Sequence, residues 1–422
     1  MPVTIESRNV EARPAPSPSF YYGWINVLVA AVVMSATLPG RTYGLGLIKE
    51  PLRADLGLSD LRFNVLNFWA IIIGAVVVLP VGWLIDRIGS RLTLGLVAAT
   101  LGVCVMLMAR SSDETQLAVT LTLVRGFGQG ALSVVAIALV GKWFRRRAGK
   151  AMGLFTILLT FGFTLPIFAV GSAVQTYGWR AAWDGVGLAL LLGIAPLGLL
   201  IARSSPEACG VQPDDPAPEE GYAEPMTIGQ ALATPAFWVY TAVATTFNLT
   251  FSALTLDNEL LLSEHGLEGG SANQLVLGVL MLSGLPGNIA AGYLARTRSL
   301  GKILAVGTLL LTASLAFFPF VRSLPTAAVY ASLLGLSGGI ITVIYFAVYG
   351  HTYGRTHLGS IQAVVQVLTV FASAIGPVLL AWVREQLDGQ TTWFFASFAV
   401  VGAVLTVLAW VVRPPARRLT QA

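Results

Sequence analysis

Twelve apolar segments alternate with short polar connections along the chain, near residues 22–48, 62–85, 91–110, 116–141, 151–175, 182–202, 236–262, 272–295, 301–320, 326–350, 358–384 and 392–412. Each is long enough to cross a ~30 Å hydrocarbon core at about 1.5 Å per residue. Lipid offers no hydrogen bonds to the backbone, so segments of this length and composition are predicted to be helices. The pattern therefore predicts an all-α integral membrane protein with twelve transmembrane helices. Residues 1–20 read as a disordered cytoplasmic N-terminus, 21–202 as a first six-helix bundle and 203–233 as a linker; 234–412 read as a second bundle and 413–422 as a cytoplasmic tail. The first twenty residues have no apolar run behind a basic start, so the first helix is expected to direct membrane insertion.

One connection has chemistry of its own. Gly82-Trp83-Leu84-Ile85-Asp86-Arg87-Ile88-Gly89-Ser90-Arg91 joins the second and third segments. Gly82 admits a close neighbour, Asp86 offers a carboxylate to a cation or a helix N-terminus, and Gly89 permits a tight reversal. The same run also suits any Gly-rich basic loop of a polytopic protein. A second copy favours the more specific reading. Adding 210 to each number carries Gly82-Trp83-Leu84 onto Gly292-Tyr293-Leu294, and Arg145, Gly149 and Trp183 onto Arg355, Gly359 and Trp393. The chain is thus predicted to be a duplication with two pseudo-symmetric halves and a path between them. In the second copy Arg296 stands where Asp86 stands in the first, so whatever contact that carboxylate makes is present on one side only.

The run around Asp86 resembles the loop signature G-x-L-x-D-R-x-G-R-R of the major facilitator superfamily, with Ser90 in place of the first basic residue after the glycine. The resemblance covers nearly the whole chain and implies a transporter that works by alternating access. Pro206-Glu207-Ala208-Cys209-Gly210-Val211-Gln212-Pro213-Asp214, followed by Thr234-Pro235-Ala236-Phe237-Trp238, is similar to the linker and seventh-helix entry of the bacterial monocarboxylate and oxalate porter branch. Thr234 and Pro235 also make local sense as a helix cap and a first-turn proline.

Composition places the chain in the same class: 55% hydrophobic, 11% charged, mean hydropathy +0.75. The net charge of +5 would suggest nucleic acid in a soluble protein, but here the charges lie in short loops, where they set topology. With both termini cytoplasmic, cytoplasmic segments hold 17 Lys and Arg and outer loops hold 7. That bias predicts both termini inside, and the chain is expected in the plasma (inner) membrane. Cys104 and Cys209 give no disulfide framework. No nucleotide-binding loop, metal-ligand cluster or nucleophile-base pair is present, so no cofactor is expected and an enzyme is disfavoured.

Two arginines lie inside apolar segments, where a charge is costly and tends to face a cavity or a partner. Arg41 follows Leu38-Pro39-Gly40, and Pro39 should bend or break the first helix. Its other reading is an arginine snorkelling to the outer headgroups. Arg125 opens Arg125-Gly126-Phe127-Gly128-Gln129-Gly130 near mid-membrane and resembles the superfamily's fourth-helix motif R-x-x-x-G-x-G, which links that arginine to the translocation path. The glycines could equally serve close packing while Arg125 bonds carbonyls. No acid lies clearly mid-helix, so the cavity is expected to be cationic and the solute anionic. Neutral candidates for solute contact are Asn64, Asn67, Gln129, Asn248, Tyr345, Tyr349, Gln362 and Gln366, each of which could instead join helices. Asp86, Arg87 and Arg91 are candidate gating residues. Asp257 and Glu259 come near the outer end of the seventh segment, and of these Asp257 is the candidate proton carrier.

Porters of the resembled branch carry a basic residue in the eighth or eleventh helix. Here Ser283-Gly284-Leu285-Pro286-Gly287-Asn288 has none, so the cation must come from the first half. The sequence predicts a monomeric secondary transporter of a small organic anion, a monocarboxylate first, with protons as candidate coupling ions and the bilayer as its partner. An inorganic anion such as nitrate and a drug exported by antiport are the alternative solutes. A non-transporting sensor on a transporter fold is the alternative class.

Overall fold

A computed structural model describes residues 21–413 apart from 78, 145–147, 207–208, 210–225, 296, 354–357 and 388–389. Ten helices in it are long and apolar enough to cross a membrane. These are α3 (Arg87–Ala109), α4 (Glu114–Gly141), α5 (Lys150–Tyr177), α6 (Trp179–Ile201), α7 (Pro235–Leu256), α8 (Gly270–Leu294), α9 (Leu300–Phe320), α10 (Leu324–Tyr353), α11 (Val364–Gln386) and α12 (Thr392–Val411). They are preceded by α1 (Gly23–Ser35) and α2 (Asp60–Val77). This arrangement is consistent with twelve spans.

The first apolar segment is not one helix. α1 stops at Ser35; a 3-10 turn over Leu38–Gly40 and a single helical turn over Thr42–Leu45 follow. Pro39 cannot donate a backbone hydrogen bond, and Arg41 between the two turns is extended (φ −90°, ψ 151°). A further short helix, Lys49–Leu56, then meets α2 at 112°. The sequence boundary at residue 48 therefore falls at the cap of this further helix, inside a folded connection.

Other boundaries follow local chemistry. Asp113 caps α4 by accepting from the Gln116 amide at 2.9 Å, and Thr234 caps α7 by accepting from the Phe237 amide at 3.3 Å ahead of Pro235. The helix that runs from Leu79 into α3 kinks at Gly89, whose φ of 82° a side chain would resist.

Two apolar cores follow the two halves. One gathers buried residues from Val27 to Ala202, with Leu256 and Leu277 added; the other runs from Ala231 to Ala409. In the first half α3 packs on α6 and α1 on α5; in the second, α8 packs on α10, α7 on α11 and α9 on α12. The halves meet along two seams, α5 with α8 and α2 with α11. We call the end holding Tyr22, Ile201 and Arg203 the near end; there Tyr22 donates to the Ile201 carbonyl. The opposite end, holding the starts of α2 and α8 and the ends of α7 and α11, is the far end.

Gly40 shows how closely these elements approach. A Cβ there would lie 2.6 Å from the Val124 carbonyl oxygen and 2.8 Å from the Gly128 Cα, both backbone atoms of α4. Gly40→Ala should therefore push the Leu38–Gly40 turn from α4 and lower stability by about 1–3 kcal/mol, the usual cost of overpacking. Thermal unfolding of the purified variant checks this, and an unchanged melting temperature would contradict the contact.

Candidate functional site

The break in the first segment and the middle of α4 form a single structure. Over Arg125–Leu132 the α4 backbone widens into a π-helix, a distortion that recurs at functional sites. Gly40 and Gly128 bring the two irregular stretches into backbone contact. Both arginines lie here.

Arg125 is 2% exposed, and protein oxygens answer every nitrogen of its guanidinium. Nε and Nη2 donate to Asn67 Oδ1, Nε at 3.0 Å. Nη1 donates to the Gly40 carbonyl at 3.0 Å, to Gln129 Oε1 at 3.1 Å and to Thr42 Oγ1 at 3.3 Å. None of these partners is a carboxylate. Gly40 and Thr42 flank Arg41, so Arg125 clamps the backbone on both sides of the other arginine.

Arg41 differs in that it is only half-buried. Its Nε donates to Thr37 Oγ1 at 3.0 Å, and Nη2 to Ser133 Oγ at 2.8 Å with the Met34 sulfur at 3.2 Å. The Phe163 ring of α5 lies 5.8 Å from its Cζ, and Tyr43 packs edge-on against that ring. Among the described residues Arg41 has no carboxylate partner and its Nη1 has no acceptor. It is a fixed cation with donor capacity to spare.

The structure disperses the other candidate residues. Asn67 and Gln129 belong to the Arg125 clamp. Asn64 is fully buried at the far end, where Nδ2 donates across the halves to the Pro377 carbonyl at 3.2 Å. Tyr349 is buried and shares a hydrogen bond with Thr241, also in the second half. These four are held by protein groups rather than brought beside Arg41. Tyr345 is half-buried and donates to Gln366, which is exposed; Asn248 is half-buried and bonds its own helix at the Ala244 carbonyl. The side chains of Gln362 and Asp86 lie outside the described residues. Arg87 is exposed, while the Arg91 amide donates to Ser204 Oγ at 3.2 Å and ties α3 to the end of α6.

Asp257 is no isolated acid. It is 1% exposed and paired with Lys49, a buried lysine that sequence reasoning placed in an outer loop. Lys49 also pairs with Asp60 at 2.6 Å, and Asp60 in turn meets Arg384 of α11 at 3.2 Å. The only sequence signal for Lys49 is its place at the end of an apolar run, which a loop lysine shares.

The arrangement is two six-helix halves, a broken first helix and a cation in the break. The profile of the Major Facilitator Superfamily matches residues 24–377 and 274–422. The chain belongs to this superfamily. Among curated relatives, Monocarboxylate transporter 13 of Rattus norvegicus is 26% identical over 400 residues, covering 92% of this chain and 87% of its own. The Oxalate:formate antiporter of Oxalobacter formigenes is 23% identical over 396 residues, covering 90% of each. Among solved structures, a bacterial homologue of the human lysosomal transporter Spinster, inward-facing and unoccupied, superposes with a TM-score of 0.66 at 14% identity over 92% of each chain. This protein is accordingly a superfamily transporter and not an enzyme.

If Arg125 is a clamp, Arg125→Gln should destabilise the protein with no solute present. Several buried acceptors lose their donor, at about 1–3 kcal/mol each. Melting of the solute-free variant tests this, with Arg125→Lys expected to lie between the two because a lysine cannot reproduce the planar fork.

Proposed function

We propose that this transporter carries a small monocarboxylate together with a proton, and that Arg41 receives the carboxylate. The observation that carries the reading is the state of Arg41: half-buried in a broken helix, held by neutral partners and left with an unanswered nitrogen. A planar guanidinium matches a carboxylate with two parallel hydrogen bonds, and a partly desolvated setting strengthens them. The names of the relatives, monocarboxylate and oxalate:formate carriers, support the same solute class. Asn248, Tyr345 and Gln366 of the second half are the remaining polar candidates to meet the rest of the solute. Alternating access then consists of the halves rocking about this site, with Asp86, Arg87 and Arg91 gating the near end. The near end is taken as cytoplasmic, in the plasma membrane.

The test uses purified protein in proteoliposomes with labelled lactate, pyruvate, oxalate, nitrate and a cationic drug. Uptake of the monocarboxylates is expected, and Arg41→Lys should weaken it. Arg41→Gln should nearly abolish it, since each charge-assisted hydrogen bond is worth about 1.5–3 kcal/mol, roughly a tenfold to hundredfold change in affinity. Solute-free melting of both variants should stay near that of the parent. Nitrate or drug flux without carboxylate flux would transfer the assignment to those solutes, and wild-type carboxylate affinity in Arg41→Gln would remove Arg41 from the site.

A further inference from the structure

The far end is closed by charges, and their distribution between the halves is uneven. Lys49 and Arg53, from the connection after the first segment, and Asp60 of α2 belong to the first half. Asp257 and Glu264, after α7, and Arg384 of α11 belong to the second. Lys49 pairs with Asp257 and Arg384 with Asp60 across the boundary. Each cation also has a carboxylate in its own half: Lys49 has Asp60 at 2.6 Å, Arg53 has Glu50 at 3.0 Å, and Arg384 has Glu264.

If the far end opens, every cation therefore keeps a partner, and Asp257 does not. Lys49 is the only cation that Asp257 meets among the described residues. Among these residues its other hydrogen-bonding neighbour is Asn64, whose Nδ2 lies 3.5 Å from Oδ1, and Oδ2 has no hydrogen-bond partner. An ionised carboxylate that loses its counter-ion in apolar surroundings is costly and takes a proton instead.

We propose that Lys49 couples the far-end gate to one proton by displacing it from Asp257. On opening, Lys49 retires to Asp60, and a proton from far-side water binds Asp257 Oδ2. On closure Lys49 returns, the O–H bond breaks, and the proton leaves for water on the path that is then open. Charge balances at each stage: closed, Asp257 is neutralised by Lys49; open, by the proton. Lys49 is a positioning residue here and touches no solute. The inference rests on the proton-coupled reading above but places the coupling on the gate, away from Arg41.

Asp60, Glu50 and Glu264 each keep a cation in their own half, which leaves Glu259 as the other far-end acid able to confer a pH response. Glu259 lines a small far-end cavity with Gln175, Asn273 and Gln274, and accepts from Asn273 Nδ2 at 3.3 Å. Burial, and then the nearby Glu50 carboxylate, raise its affinity for a proton above the ordinary carboxylate range. The experiment must separate it from Asp257.

Thr255 of α7 is buried where Gly46 of the first half meets it, so a Thr255→Cys reporter, in a Cys104→Ala, Cys209→Ser background, reads far-end opening by its rate of alkylation. In the parent the rate should rise as pH falls from about 8 to about 5.5, by up to about tenfold per unit, the limit for one linked proton. Asp257→Asn and Lys49→Gln should make it independent of pH, whereas Lys49→Arg and Glu259→Gln should retain the dependence. Lys49→Gln should also lose stimulation of carboxylate uptake by an inward proton gradient. A pH-independent parent, a Lys49→Gln variant that still responds, or a response abolished by Glu259→Gln alone would overturn the proposal. Should Lys49→Gln fail to fold, the near-isosteric Asp257→Asn carries the test. If the reporter behaves as stated while no carboxylate is transported, the gate stands and the solute assignment falls.

Discussion

A guanidinium in the middle of a membrane must have its donors answered by protein, because lipid cannot answer them and the group does not readily shed its proton. Arg125 meets that requirement with neutral oxygens from three directions, and much of the first half is arranged to supply them. The Gly40 carbonyl is available because the helix is interrupted at Pro39; Asn67 comes from α2; Gln129 comes from the widened turn of α4 itself. Remove any one of these irregularities and the remaining regular helix would offer the arginine fewer oxygens. The break in the first segment and the π-turn are thus two parts of one solution to housing a charge.

The same logic explains why the two arginines differ although both stand in apolar sequence. Saturation makes Arg125 part of the scaffold, and its bonds to the residues either side of Arg41 give that second guanidinium a fixed place to stand. Arg41 gains hydrogen bonds enough to be oriented by Thr37 and Ser133, but among the described residues no charge neutralises it. A counter-ion supplied from solution is then worth more than it would be to a paired arginine, since no internal ion pair must first be broken.

How far the sequence reveals this depends on whether a feature is local. The spans, the duplication, the cap at Thr234 and the interruption at Pro39 are written in consecutive residues and were legible there. Lys49 was not. It ends an apolar run and looks like a loop residue, yet a short helix bent by 112° against α2 folds it under cover and delivers it to an acid more than two hundred positions away. Asn64 and Asn67 carried the opposite difficulty. Three residues apart on one helix, both looked fit to line a path, but one is taken up by Arg125 and the other by the seam with α11. Which polar group a helix spends on its neighbours is decided by tertiary contacts that periodicity does not encode.

The duplication sharpens the question of solute, because the halves match in outline and differ at the site. Adding 210 carries Pro39 onto Leu249 and Arg41 onto Phe251, and α7, which contains both, is a continuous helix from Pro235 to Leu256. A cation in a broken helix is thus answered in the opposing half by an apolar residue in an intact one, with Phe247 and Phe251 in ring contact at 5.2 Å. Carboxylates at both ends of a solute would call for a cation in each half, and α8 and α11 contain none in the stretches where the resembled branch has it. A solute with one carboxylate needs only the charge that the first half supplies, and its remainder is left to the neutral groups of the second half. On the proposal that Arg41 receives the solute, that asymmetry, more than the presence of an arginine, favours a monocarboxylate over a dicarboxylate.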